Sequence, residues 1–153
     1  MKNEKHLIYS GDRFEKIDID IQNYNNNYFS EEMKLESETF YKIRKMNNIL
    51  PYKIEKSEEN EKENIKKYFE KNKDNFYMLI ENNKLIGSVL IINNYIKEIC
   101  IAKKYQKKGY GTKLTKFAVN KIYEKGYKTV ELDVLPGNSI AEKLYKKLNF
   151  YEK

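Results

Sequence analysis

The segment Ile99–Thr112, ICIAKKYQKKGYGT, holds the residues best suited to chemistry. An apolar stretch runs into Gln106-Lys107-Lys108-Gly109-Tyr110-Gly111-Thr112, and a helical pattern follows. The first amides of a helix have no partner within it, and the helix dipole favours negative charge at that end. Gly109 and Gly111 let main-chain N–H groups converge on one concavity without a Cβ in the way. Lys107 and Lys108 add positive charge at the rim. A pyrophosphate fits this description. Two other phosphate-binding patterns fail on spacing: no GxxxxGKS/T occurs, and GxGxxG is broken by Leu114. Taken alone, two glycines at a strand–helix turn also describe an ordinary tight turn.

Cys100 is the only cysteine and His6 the only histidine. An intrachain disulfide is therefore excluded, and a reducing, cytoplasmic setting is expected. A zinc site of the usual nitrogen and sulfur ligands is excluded too, so no metal is expected. No Cys-His partner motif accompanies Cys100, which reads as a buried strand residue rather than a nucleophile. The net charge of +7 arises from 30 basic and 23 acidic residues interleaved along 153 positions. That pattern describes a solvated lysine-rich surface better than a nucleic-acid footprint. No RRM-like aromatic signature is present, and nucleic acid is not an expected partner. No apolar run reaches membrane-spanning length, and the N-terminal residues lack the apolar core and cleavage site of a signal peptide.

The elements that must position these residues follow from periodicity. Leu7–Tyr9 and Phe14–Ile21 predict strands, the second from the alternation of Ile17, Ile19 and Ile21, with Gly11-Asp12 as a turn between them. Tyr24–Tyr28 is a loop. Ser30 with Glu31 and Glu32 predicts a helix start, with Met33, Phe40 and Ile43 inward and an end near Asn47-Asn48. Asn60 and Glu63 predict a capping box for a second helix that turns Ile65, Tyr68 and Phe69 inward. Phe76–Ile80, Leu85–Ile92 and Tyr95–Ile101 predict an antiparallel meander, because the paired asparagines between them tolerate positive φ. Leu114, Phe117, Ala118 and Ile122 predict a helix ended by Gly126, and Thr129–Leu135 a strand. Ser139 and Glu142 predict a capping box for a last helix with Ile140, Ala141, Leu144, Tyr145 and Leu148 inward. The order is α/β, with one domain over residues 1–153 expected.

The string Gln106-Lys107-Lys108-Gly109-Tyr110-Gly111 resembles the Q/R-x-x-G-x-G/A signature of the GNAT acetyltransferase superfamily. Asn138 to Phe150 resembles the family's N-x-x-A-x-x-L-Y-x-x-x-G-F signature, with Asn149 in place of the usual Gly. The similarity covers about residues 76–150, and two linked motifs at the expected separation make it specific. It implies a mixed, mostly antiparallel central sheet flanked by helices on both faces, with strands 95–101 and 129–135 splayed around coenzyme A. It implies direct transfer of acetyl from acetyl-CoA to an amine. Pantetheine would pair with Ile99, Cys100 and Ile101 like an added strand, and pyrophosphate would sit on residues 107–112. Asn138 would bond the pantetheine arm, cap a helix, or both.

Three chemical roles come with that resemblance. Glu98 or Asp133 aligns with positions where some relatives carry a base; each also reads as a strand residue in a salt bridge. A backbone N–H near Cys100 or Ile101 would serve the developing oxyanion. Tyr145 holds the position of the acid that protonates the leaving thiolate, though a core tyrosine fits the same apolar face. Members of the family continue into one or two further strands flanking the acceptor pocket, whereas residues 150–152 allow only a stub. The N-terminal strands, a second subunit in a homodimer, or nothing would then fill that place. The region Ser30–Pro51 would line the acceptor side, where Glu36 and Glu38 could attract a cationic small-molecule or peptide amine. The alternative is a non-catalytic acyl-CoA-binding or sensor domain of the same fold.

Overall fold

The computed structural model describes residues 4–153. Its elements are β1 (Lys5–Tyr9), β2 (Ile21–Asn23), α1 (Phe29–Met46), α2 (Glu59–Lys71), β3 (Phe76–Glu81), β4 (Lys84–Ile92), β5 (Tyr95–Ile101), α3 (Tyr110–Glu124), β6 (Val130–Val134), α4 (Ser139–Lys147) and β7 (Tyr151–Glu152). The strands form one open sheet in the order β2-β3-β4-β5-β6-β1-β7. Every pairing is antiparallel except β5 with β6.

The meander follows from its turns. Asn82 and Asn83 take φ of 51° and 62°, the left-handed pair that a two-residue hairpin needs. Residues on alternate faces of β4 then enter different cores. Val89 and Ile91 pack with α3 residues Leu114, Ala118 and Ile122, and with Val130 and Leu132 of β6. Leu90 packs on the opposite face with Met33 of α1, Phe69 of α2, Phe76 and Met78. Helices thus cover both faces of the sheet. Gly126, at φ 98°, ends α3 as its composition implies.

The N-terminal hairpin expected around Gly11-Asp12 is not formed. β1 lies between β6 and β7, while β2 lies at the far edge beside β3. Only Ile21–Asn23 of the alternating segment is strand. The chain before it crosses α3 instead, where Asn120 grips Phe14 through Nδ2→O at 3.0 Å and accepts from its amide at 2.9 Å. Tyr123 donates to the Gly11 carbonyl at 2.7 Å. Phe14 and Ile19 are therefore half-buried by tertiary packing against the core, and their alternation gave no ladder partner. The capping boxes also differ. Glu58 precedes α2 without a side-chain cap, and Asn60 bonds only the next amide. Asn138, not Ser139, caps α4 by accepting from Ala141 N at 3.4 Å. With that phase, Ile140 is 73 % exposed rather than inward.

β1 resolves what flanks β6. Lys5–Tyr9 pairs with Val134–Val130, and Leu7 and Ile8 pair with the two residues of β7. The N-terminal strand thus occupies the place beside β6, with β7 beyond it.

Candidate active site

β5 and β6 touch through a single parallel pairing, Tyr95 with Glu131. The Asn94 carbonyl accepts from Glu131 N at 2.9 Å, and the Asn94 side chain donates to Glu131 Oε2 at 2.8 Å. Beyond that clamp β5 stays bonded to β4 as far as Ile101, and no ladder to β6 continues. Ala102 N donates to the Ile86 carbonyl at 2.7 Å. By the two-residue alternation of an antiparallel ladder, Cys100 also directs its backbone groups to β4, while Ile99 and Ile101 direct theirs into the gap. The free N–H expected near Cys100 or Ile101 thus belongs to Ile101 or Ile99. The Ile101 carbonyl already accepts from Gln106 Nε2 at 3.0 Å, which ties the loop to the strand end.

The loop then delivers the mouth of α3 to the gap. Lys107 has φ 62°, and Gly109 has φ 89° as the residue before the helix. Lys113 N is the first to donate back, to the Gly109 carbonyl at 3.1 Å. The amides of Tyr110, Gly111 and Thr112 precede that bond and have no acceptor within the helix. A Cβ built on Gly109 would meet no atom within 4 Å, so its face is open. A Cβ on Gly111 would make ordinary contact with Leu144 at 3.7 Å. Gln106, Lys107 and Lys108 are exposed. This concavity fits a diphosphate: unpaired amides, a helix N-terminus and flexible lysines. Glu38 of α1 supports the approach by accepting from Lys103 N at 3.0 Å.

Tyr145 of α4 is 8 % exposed and packs against Phe150 with ring centroids 5.5 Å apart. Burial, and then the neighbouring Cys100 sulfur, raise its phenol above the usual range. It therefore stays protonated and able to donate. Cys100 is fully buried, and burial pushes its thiol well up, helped by the charges of Glu36, Glu32 and Glu98. A thiol so held is a poor nucleophile.

On the α1 side of the sheet three carboxyl groups converge. Glu32 and Glu36 are 0 % and 4 % exposed, and Glu98 is half-buried on β5. Ser88 of β4 donates to Glu32 Oε2 at 3.0 Å, while Glu32 Oε1 and Glu36 Oε2 have no hydrogen-bond partner. Burial raises Glu32 to about 7. Burial and then Glu32 raise Glu36 well above the carboxylate range, and burial and then Glu36 do the same to Glu98. Such a group can hold or take a proton near neutral pH. Glu36 and Glu98 line a cavity of about 210 Å³ with Phe40, Arg44, Tyr68 and Phe69. A wider depression on α2, lined by Lys66, Lys67 and Lys71 among others, touches none of these residues.

The acetyltransferase (GNAT) family model matches residues 34–150. The chain belongs to this family. Its fold is shared by solved structures of low identity. A GCN5-related N-acetyltransferase from Sphaerobacter thermophilus is 15 % identical, with a TM-score of 0.69 over 98 % of this chain and 48 % of that one. The paia N-acetyltransferase from Thermoplasma acidophilum, in complex with coenzyme A, is 19 % identical, with a TM-score of 0.66 over 86 % and 88 %. An acetyltransferase of the GNAT family from Colwellia psychrerythraea is 11 % identical, with a TM-score of 0.72 over 97 % and 52 %. The chain thus spans about half the length of the first and third. No curated protein matches it by sequence.

In this GNAT chain the predicted residues fall into two groups. Ile99 and Ile101 of β5 direct backbone groups into the gap, Gln106 to Thr112 form the loop and first turn of α3, and Asn138 and Tyr145 belong to the start and body of α4. Cys100 instead pairs with Ser88 of β4 and is not free to bond pantetheine. Glu98 faces the cavity under α1. Asp133 does not line that cavity: it lies exposed on β6, where His6 Nδ1 sits 2.7 Å from its Oδ1. His6 Nε2 sits 2.7 Å from Glu131 Oε1. His6 therefore has two carboxylate neighbours, and Asp133, then Glu131, raise its pKa against the opposing effect of burial. Glu36 carries the expected acceptor-side charge, while Glu32 and Arg44 have no site role in the sequence reading. Their signal was present, since Glu32, Glu36, Phe40 and Arg44 recur every fourth residue and form one stripe of α1. Glu38, read with Glu36, is exposed and holds the loop instead.

Proposed function

We propose that this chain transfers acetyl from acetyl-CoA to a primary amine by direct attack in a ternary complex. The observation that carries the reading is the divergence of β5 and β6 after one pairing, with the unpaired amides of Tyr110–Thr112 at its foot. Those amides hold the diphosphate, with Lys107 and Lys108 at the rim. Ile99 and Ile101 offer backbone groups to the pantetheine arm, and Asn138 divides its polar groups between that arm and the cap of α4. The bound thioester supplies the acetyl carbon.

Glu98 takes a proton from the incoming ammonium, and Glu36 steadies that proton. The Ile101 amide donates to the carbonyl oxygen as the C–N bond forms. Tyr145 gives its proton to the sulfur as the C–S bond breaks, and the second proton of the amine restores the phenol. Asp133, paired with His6, is the less suitable base. The reading agrees with family membership and with the coenzyme A complex of the Thermoplasma relative.

The test is a thermal-shift titration with acetyl-CoA, followed by thiol release over a panel of amines. Binding should raise the midpoint by mass action. No shift at millimolar acetyl-CoA contradicts the reading. Tight binding without turnover on any amine favours an acyl-CoA sensor.

A further inference from the structure

Glu36 is almost wholly buried, yet its Oε2 faces no donor, and the residue forms part of the wall of the 210 Å³ cavity. A buried acceptor left unpaired is destabilising. Glu32 and Glu98 both approach the Glu36 carboxyl group closely enough to share a proton with it. Most of the remaining lining is apolar or aromatic: Phe40, Tyr68, Phe69 and two isoleucines. Arg44 supplies the cation of the lining. It is pinned by Nε→Pro51 O at 2.7 Å and Nη2→Leu50 O at 3.2 Å.

We infer that this cavity selects a compact monoamine with an apolar, aromatic-sized body, its ammonium between Glu36 and Glu98 and its body against Phe40, Tyr68 and Phe69. The assignment rests on the acetyl-transfer reading above and names its acceptor. An ammonium carries three donors and no acceptor, matching two carboxyl groups that line one cavity. A second ammonium on the same molecule would fall on the apolar wall or beside Arg44, where it meets desolvation or like charge. A carboxylate next to the ammonium, as in an amino acid, would face Glu36 and Glu98. The volume of about 210 Å³ suits a compact body and lies below the roughly 300–1,000 Å³ of drug-sized sites.

The test uses the full chain, with 2-phenylethylamine and spermidine as probes. Thiol release should give a kcat/KM for 2-phenylethylamine at least about 100-fold above that for spermidine, the discrimination expected when a buried charge is left unpaired. Calorimetry with coenzyme A present should detect 2-phenylethylamine binding. Glu36→Gln should raise the KM for the amine about tenfold or more, with the acetyl-CoA thermal shift kept. Tyr68→Ala, on the exposed side of the cavity, should raise the same KM and does not threaten the fold. A preference for spermidine overturns the assignment. So does an unchanged amine KM in both variants, or a protein that binds acetyl-CoA but neither binds nor acetylates 2-phenylethylamine; each leaves the acetyl-transfer reading standing. Loss of the acetyl-CoA shift in the unmodified protein removes that reading instead.

Discussion

Glu36 of α1 and Glu98 of β5 share one wall of one cavity, although helix and strand each bring a single carboxyl group to it. Burial works against ionising either; Glu36 then raises Glu98 further, whereas Glu36 itself is raised by Glu32 and partly relieved by Glu98. Glu98→Gln keeps the shape and removes the proton acceptor. It should lower kcat by about 100-fold or more, the usual worth of a general base, with acetyl-CoA affinity nearly unchanged. Steady-state thiol release and a thermal-shift titration measure the two separately. A kcat within threefold of the parent, on the order of 0.6 kcal/mol, would remove Glu98 from the mechanism.

The same cluster makes stability pH-dependent. Glu32 has a folded-state pKa of about 7 against an ordinary 4.5. A raised pKa means the folded state binds the proton more tightly. The stabilisation is then complete below about 4.5 and is lost as pH climbs through 7. Glu36 and Glu98 shift the same way, and Arg44 and Lys97 oppose them. The unfolding free energy from urea titrations should fall between pH 5 and pH 8, by a few kcal/mol at most. Glu36→Gln should flatten the fall, and an equally steep fall in that variant would count against the coupling.

Gly109→Val should abolish the acetyl-CoA shift. At φ 89° a β-branched residue is strained by about 1–3 kcal/mol, and its side chain would project into space that the protein leaves open. Gly111→Ala is the control. Its new methyl would make only ordinary contact with Leu144, so fold and acetyl-CoA binding should both persist. Retained binding in the valine variant would place the diphosphate elsewhere.

Tyr145→Phe should reduce kcat while leaving the acetyl-CoA shift in place, because the ring still fills the space against Phe150. The expected loss is about 100-fold, that of a general acid. Full activity would return Tyr145 to a purely structural role.

β1 should be indispensable to the sheet. Leu7 has no exposed surface and joins the core beneath α3. Leu7→Ala should cost about 2–5 kcal/mol, read as a shift in urea midpoint at constant slope. A change below about 0.5 kcal/mol, typical of surface substitutions, would mean that β1 is not packed as described.

Local chemistry in the sequence determined the three-strand meander, the glycine-bared start of α3 and the stop at Gly126. Asparagine and glycine choose left-handed φ by themselves, and apolar periods of two and 3.6 distinguish strand from helix without outside help. The two motifs also named Tyr145 and the loop as candidates for the site. Only the tertiary structure decided that Leu7 pairs beside β6 while Ile21 pairs beside β3, because a strand's alternation names its buried face and not its neighbour. It alone turned Glu32 and Glu36 inward, since a glutamate on a helix is written the same way whether water or Glu98 waits opposite it. The charge that reads as solvated surface in the chain becomes a buried acid once β4 and β5 close over it, and that closure is a property of the whole sheet.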